Sequence, residues 1–319
     1  MGELPAALSF DLDPDIFDES ISSSNARTRL GWRGISEGVP AIRDALDAFA
    51  PGIPVTWFVR VDNQIADIYG RPGHLLEQHR ALFEELRARG DEIAWHPHLY
   101  RRKDEGWEQE TDDDALLTAM QAAIADMRAL GFDPRCGRIG EAYGSTGLMA
   151  AFDACGIPYD STAMSGRKRV DGERTIDWLD TPRTAYRPSK ADHRVPASPA
   201  HDVIEIPMSM LKVKADYDAE PFLRYLDLSF RTEAVAGGMD SLVSEAPYLV
   251  AVTHPSALMP DFAPKGGHGL LSFDLQNMKR TLRLLAETAE AKGRELTFTT
   301  LGALGDRIAE ELGRDADAA

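Results

Sequence analysis

Leu8-Ser9-Phe10-Asp11-Leu12-Asp13-Pro14-Asp15 carries an apolar strand straight into three alternating carboxylates. Side chains alternate along an extended chain, so Asp11 and Asp13 fall on the same side. Two such carboxylates repel each other, and a bound cation or an arginine readily offsets that cost. Taken alone, the stretch fits a solvated acidic turn equally well, because Asp-Pro is a common turn former. What decides between the readings is whether other strands end the same way.

Short apolar or β-branched runs recur at Ala6–Phe10, Val55–Val61, Glu92–Trp95, Arg135–Ile139, Val203–Ile206, Tyr248–Thr253 and Glu295–Thr299, and each reads as a strand. Helices fall between them. Ile42, Leu46 and Phe49 share one helical face, as do Leu116, Met120, Ile124 and Met127 before a stop at Gly131. Ser145 suits the N-cap of a helix ending at Gly156. This alternation implies an α/β fold with a mostly parallel sheet and helices outside it. Periodicity alone leaves open whether the sheet closes as a barrel or stays open and doubly wound. One domain over residues 1–319 is expected, since α/β barrels commonly run this long. The stretch at about 160–202 is rich in Arg, Pro, Asp and Ser, and reads as a long loop excursion over one face of the sheet.

Composition bounds the function. With 43% hydrophobic and 27% charged residues the chain can bury a sizeable core. A formal net charge of -17 repels phosphate backbones and anionic lipid, so nucleic acid is not an expected partner. The two cysteines, Cys136 and Cys155, lack the paired spacing of a thiolate zinc site and read as core thiols. No apolar stretch approaches the length of a membrane span, and Met1-Gly2-Glu3-Leu4-Pro5 has no export-type pattern, so a cytoplasmic location is expected. A homo-oligomer is compatible with all of this.

Three more strand ends carry chemistry. Glu92-Ile93-Ala94-Trp95-His96-Pro97-His98 ends in two histidines at i and i+2. Pro97 favours an extended backbone at His96, which turns both imidazoles one way and lets them reach one metal. Arg135-Cys136-Gly137-Arg138-Ile139-Gly140-Glu141 ends in an arginine able to hold Asp11 ionised through a bidentate contact, although on local sequence a surface arginine is the commoner outcome. Glu141 reads as solvated rather than as a further ligand. Tyr248-Leu249-Val250-Ala251-Val252-Thr253-His254 delivers one histidine to a strand end, where ligands bind in parallel sheets, and an imidazole there suits a general acid. His74, His79, His193, His201 and His268 have no such placement: His79 falls within an amphipathic helix, and His268 in a glycine-rich loop that would line a cleft.

Taken in order, Ser-Phe-Asp-x-Asp, the histidine motif, the arginine strand end and the Leu-Val-x-x-x-His strand end resemble the successive motifs of the polysaccharide deacetylases, carbohydrate esterase family four. Val55-Thr56-Trp57-Phe58-Val59, Cys155-Gly156-Ile157-Pro158-Tyr159-Asp160-Ser161, Val203-Ile204-Glu205-Ile206-Pro207 and Thr297-Phe298-Thr299-Thr300-Leu301 are also similar to family segments, so the resemblance spans most of the chain. It implies a distorted (β/α) barrel of seven or eight strands and a divalent metal, commonly zinc, bound by one Asp and two His. It further implies Asp11 as general base, Asp13 as metal ligand, Arg138 as the partner orienting Asp11, and His254 as general acid. The chain departs from the pattern in having Leu12 between its carboxylates, Ile139 after Arg138, and Tyr100 where the second histidine usually stands. The third metal ligand is therefore assigned to His98 on alternation alone.

Such a site implies hydrolysis of an amide C-N bond, with deacetylation of an N-acetylated sugar or sugar conjugate as the expected reaction. The competing readings are a ureide or cyclic-amide hydrolase on the same barrel, and a catalytically silent carbohydrate-binding barrel. Trp107 and Trp178 are the candidates for stacking on a sugar ring, with Trp57 and Trp95 better suited to the core. Asp177-Trp178-Leu179-Asp180 is expected in one cleft wall.

Overall fold

The computed structural model describes residues 2–15, 30–103, 106–171, 174–215, 218–258 and 274–318. Its strands are β1 (Gly2–Leu12), β2 (Thr56–Val59), β3 (Glu92–Trp95), β4 (Tyr100–Lys103), β5 (Gly106–Gln109), β6 (Cys136–Gly137), β7 (Tyr159–Asp160), β8 (Lys168–Asp171), β9 (Arg174–Asp177), β10 (Ile204–Glu205), β11 (Met210–Val213), β12 (Phe222–Tyr225), β13 (Leu249–Thr253) and β14 (Arg294–Thr299). Its α-helices are α1 (Val39–Phe49), α2 (Asn63–Tyr69), α3 (His74–Gln78), α4 (Arg80–Ala88), α5 (Asp113–Ala129), α6 (Thr146–Cys155), α7 (Thr232–Glu245), α8 (Leu275–Ala291) and α9 (Leu301–Ala318).

Eight strands form one wholly parallel sheet in the order β10-β7-β6-β3-β2-β1-β13, with β14 also on β1. Ala6 and Ala7 pair with both β13 and β14, so those two strands flank β1 on opposite edges. The edge shared with β14 over Gly2–Ala7 passes to β2 over Ser9–Leu12. The remaining gap, between β10 and β13, is bridged by irregular chain. Ile206 N donates to Asp160 O at 2.7 Å, Ser209 N to Val250 O at 3.0 Å, and Val250 N to Ser209 Oγ at 2.9 Å. The sheet thus curls into a distorted (β/α) barrel, which resolves the choice that periodicity left open.

Alternation along the strands sorts the interior into an apolar floor and a polar mouth. Ala7, Phe58, Ala94, Cys136, Tyr159, Ile204 and Val250, one from each of seven strands, pack together with Leu301, Leu304 and Ile308 of α9. Two residues further along on the same face, five of these seven strands bring Ser9, Arg60, His96, Arg138 and Ser161, while β10 and β13 bring Ile206 and Val252. Helix α9 closes the end where strands begin: Leu301 N donates to Thr56 Oγ1 at 2.8 Å and Gly302 N to Glu92 Oε2 at 2.9 Å. Chemistry is left to the opposite, C-terminal end.

The helices start and stop on the expected signals. Ser145 Oγ accepts from Leu148 N at 3.1 Å to cap α6, a contact worth about 1 kcal/mol, and Gly156 ends the helix at φ +67°. On α5, Leu116, Met120, Ile124 and Met127 are buried along one face. His79 departs from expectation, because it sits at the break between α3 and α4 rather than inside a helix. The stretch at about 160–202 is not all loop: β8 and β9 form an antiparallel hairpin within it. With Lys168, Arg169 and Arg174 on its arms, that hairpin has no apolar alternation to betray it. Both cysteines are buried free thiols. Among the described residues, no helix is long and apolar enough to cross a membrane.

Candidate metal and catalytic site

Three neighbouring strands each lead into a polar pair two residues apart: Asp11 at the end of β1 and Asp13 just past it, Arg60 and Asp62 after β2, His96 and His98 after β3. The chain stays extended past β3, as backbone bonds from His96 N to Val59 O and from Gly140 N to Pro97 O show, both at 2.9 Å. Both imidazoles consequently face Asp13. His98 Nε2 lies 3.2 Å from Asp13 Oδ1, His96 Nε2 lies 3.6 Å from it, and the two Nε2 atoms are 3.3 Å apart. These three residues form the cluster of metal-ligating type among the described residues. Glu141 stands outside it.

The donor set fits a divalent metal. Asp13 Oδ1 is buried and has no hydrogen-bond partner, a costly state for a carboxylate oxygen unless a cation meets it. His96 Nδ1 is 2.7 Å from the carbonyl of Arg138, which can only accept. The ring proton therefore sits on Nδ1, and the Nε2 lone pair points at the cluster. Tetrahedral bonds of about 2.05 Å subtend edges of roughly 3.3 Å, close to the separations found here.

Arg60 is the neighbour that strand reading passed over. Its side chain is fully buried, with Nε 2.6 Å from Asp62 Oδ2, Nη2 donating to Gln64 Oε1 at 2.9 Å, and Nη1 3.5 Å from Asp13 Oδ1. Asp62 in turn accepts from His98 N at 3.1 Å and caps α2 by accepting from Ile65 N at 2.9 Å. Burial would raise the Asp13 pKa, but the imidazoles of His98 and His96 outweigh it and hold the carboxyl well below the usual range. Burial and Arg60 push His98 down. For His96, burial is outweighed by the charges of Asp11 and Asp13, which raise it.

Arg138 and His254 flank Asp11. Arg138 Nη1 donates to Asp11 Oδ1 at 2.6 Å and to Ser9 Oγ at 2.9 Å. The contact is not bidentate as expected, because the guanidinium is shared: Nε donates to Ser161 O at 2.9 Å and Nη2 to Ser161 Oγ at 3.2 Å. Its carbon lies 4.2 Å from the Phe58 ring centroid, so floor and mouth meet at this residue. His254 Nε2 stands 3.9 Å from Asp11 Oδ2 and 3.6 Å from Asp13 Oδ2, with 25% of its side chain exposed. All six residues singled out in the sequence, Asp11, Asp13, His96, His98, Arg138 and His254, thus converge on one end of the barrel.

Two further residues belong to this neighbourhood. Asp227 is buried, accepts from Ser229 N at 2.8 Å, Ser229 Oγ at 2.7 Å and Thr253 Oγ1 at 3.1 Å, and feels the charge of His254. Burial raises its pKa. Tyr225, at the end of the β11–β12 hairpin, has its ring centroid 6.5 Å from that of His254. The sequence offered no parallel strand leading to either residue.

The tryptophans correct the expectation of a stacking wall. Trp178 is fully buried and donates to Ala142 O at 2.9 Å, while Trp107 is 7% exposed and covered by Arg102. Trp57 and Trp95 are core residues, as expected. His74 stacks on Tyr69, His193 meets the edge of Trp178, and His201 pairs with Asp153. The His268 loop lies outside the described residues.

The fold is that of the polysaccharide deacetylase-type barrel, and two solved structures carry the comparison. One is a provisionally named polysaccharide deacetylase from Mycobacterium smegmatis, at TM-score 0.54 and 13% identity over 97% of this chain and 91% of that one. The other is a provisionally named glycoside hydrolase/deacetylase from Parabacteroides distasonis, at TM-score 0.58 and 14% identity over 96% of this chain and 70% of that one. No family profile and no curated protein sequence matches the chain. The likeness is one of backbone architecture.

Proposed function

We propose that residues 1–319 form a single barrel domain that hydrolyses an amide C-N bond, removing the acetyl group of an N-acetylated sugar or sugar conjugate. The observation that supports this best is the buried Asp13, His96 and His98 triad, with Asp11–Arg138 on one side and His254 on the other. Asp13, His96 and His98 would hold one divalent metal, and zinc suits one carboxylate and two imidazoles. Bound there, such an ion supplies Lewis acidity toward an amide carbonyl and acidifies water.

The remaining steps fall to the side chains. Arg138, itself steadied by Ser9, holds Asp11 through Oδ1 and leaves Oδ2 to take a proton from attacking water. His254, on the other side of Asp13, donates a proton to the departing nitrogen. The partial exposure of His254 suits a group that meets substrate, whereas His96 and His98 are buried. In this scheme Asp13 binds and Asp11 moves the proton, because Asp13 Oδ1 is the oxygen that faces both imidazoles.

Arg60 favours a second reading, a barrel that binds a sugar without hydrolysing it, since a guanidinium at 3.5 Å already offsets the charge of Asp13. Elemental analysis of protein purified without added metal separates the two. About one metal per chain, lost in both His96→Ala and His98→Ala, together with acetate release from N-acetylated sugars, supports the hydrolase. Loss in His96→Ala alone removes His98 from the ligand set. A wild type that stays empty when zinc is supplied favours the binding barrel.

A further inference from the structure

We infer that Tyr100 and Glu141 form a one-way hydrogen-bond relay that keeps the ring proton of His98 on Nδ1 and turns its Nε2 lone pair toward Asp13 and His96. The inference rests on the metal-site reading above and adds two positioning residues to it. Tyr100 stands where the resemblance would place the second histidine, and its hydroxyl lies behind the histidine that took over.

The geometry sets the direction. His98 Nδ1 is 2.9 Å from the Tyr100 hydroxyl, which donates to Glu141 Oε1 at 3.4 Å, and Glu141 Oε2 pairs with Arg169 Nη2 at 3.3 Å. A carboxylate only accepts, so the single phenolic proton goes to Glu141 and the phenol oxygen is left to accept. Nδ1–H of His98, at 2.9 Å, is placed to donate to it. Against this pulls Asp13 Oδ1, a buried acceptor without a hydrogen-bond partner, 3.2 Å from His98 Nε2. The His96 Nε2 lone pair, 3.3 Å from His98 Nε2, pulls the same way, so the phenol on one side and the cluster on the other compete for one proton. If Asp13 wins, Nε2 carries hydrogen and cannot coordinate; if the relay wins, Nε2 is open.

The backbone holds the relay against the ring. A Cβ on Gly140 would lie 2.0 Å from His98 Cδ2, so residue 140 has to be glycine for the turn to touch the imidazole. Glu141 and Ala142 follow at φ 60° and 53°, values that residues with side chains seldom adopt. Such conformations persist where surrounding structure over-determines them, and they cluster at functional sites. Here the turn brings Glu141 to the far side of the Tyr100 hydroxyl. An ordinary solvated glutamate needs no such backbone.

The test reads the proton directly. In metal-free protein labelled with 15N-histidine, with His98 resonances assigned against His98→Gln, wild-type His98 is expected as the Nδ1–H tautomer. Tyr100→Phe removes the acceptor, and Glu141→Ala leaves the phenol proton free to turn toward Nδ1. Both variants are expected to shift His98 toward Nε2–H and to weaken zinc binding by about 10- to 100-fold in chelator competition. Glu141, with 24% of its side chain exposed, gives a folded variant even where Tyr100→Phe does not. An unchanged His98 tautomer in folded Glu141→Ala overturns the relay, whether or not zinc binds. A wild type that takes up no zinc, yet shows the tautomer shift in the variants, sinks the metal reading and leaves the relay standing.

Discussion

Arg138 donates to Asp11 at 2.6 Å with both side chains buried, and the rest of its guanidinium is committed to Ser161, just past the neighbouring strand β7. The position of Asp11 is therefore set by three strands at once, β1, β6 and β7. Lysine keeps the charge but cannot divide itself among Asp11, Ser9 and Ser161. Arg138→Lys should lower kcat about a hundredfold, as expected for a misplaced proton acceptor, with metal content unchanged. Steady-state kinetics and elemental analysis on one preparation check this. A drop confined to KM would mean that Arg138 binds substrate instead.

Arg60 and Asp62 make a second buried pair, at 2.6 Å, and here one partner also holds His98 N and caps α2. Removing the cation strands Asp62 and takes the nearest positive neighbour from Asp13. Arg60→Met is expected to lower stability by about 3–5 kcal/mol, seen as a fall in urea midpoint at unchanged m-value. A loss below about 1 kcal/mol would show that water reaches Asp62 and that the pair is not sealed.

Strand-end alternation explains both what could be read in the sequence and what could not. Asp11/Asp13 and His96/His98 stood out because carboxylates and imidazoles are metal-ligand types. Arg60/Asp62 has the same spacing after β2, but Arg and Asp beyond a strand ordinarily mean solvent. Strand β7 is two residues long, too short for any period to show. Tyr225 ends an antiparallel hairpin and Asp227 follows it, so no parallel strand pointed to them. Trp178 was expected in a cleft wall because its segment lies in the long excursion over the sheet; tertiary packing beneath Ala142 decided otherwise. Barrel closure was unreadable for a similar reason, since it runs through Ile206 to Ser209, a segment with no regular structure of its own.

Asp160 and Glu205 lie opposite each other in the β7–β10 register, both fully buried, with Asp160 Oδ2 and Glu205 Oε2 lacking any other hydrogen-bond partner. A proton held between them satisfies both. Burial and the neighbouring Asp160 push Glu205 well above the usual range, and burial raises Asp160 to about 6. A raised folded-state pKa contributes stability that is fully present below the unfolded value and lost as pH climbs through the folded one. The wild type should therefore weaken from about pH 5 to pH 8, whereas Glu205→Gln should be spared on the order of 1–3 kcal/mol of that loss. Urea denaturation at the two pH values checks the sign. A constant difference between the proteins would rule out the shared proton.

His254, the proton donor of the proposed scheme, faces the Oδ2 side of both carboxylates while His96 and His98 converge on Asp13 Oδ1. An amide nitrogen leaves only when protonated, so His254→Ala should reduce kcat on an acetamide by about 10²–10⁴-fold and leave metal content intact. The aryloxide of an activated aryl acetate leaves without a proton, and on that substrate the same variant should lose far less. The contrast isolates the proton-transfer role, since a general loss of site structure would depress both substrates alike. Asp227→Asn, which alters the buried carboxyl beside His254 without touching the imidazole, should fall between wild type and His254→Ala on the acetamide. Equal losses on ester and amide would instead place His254 in binding or in the metal site.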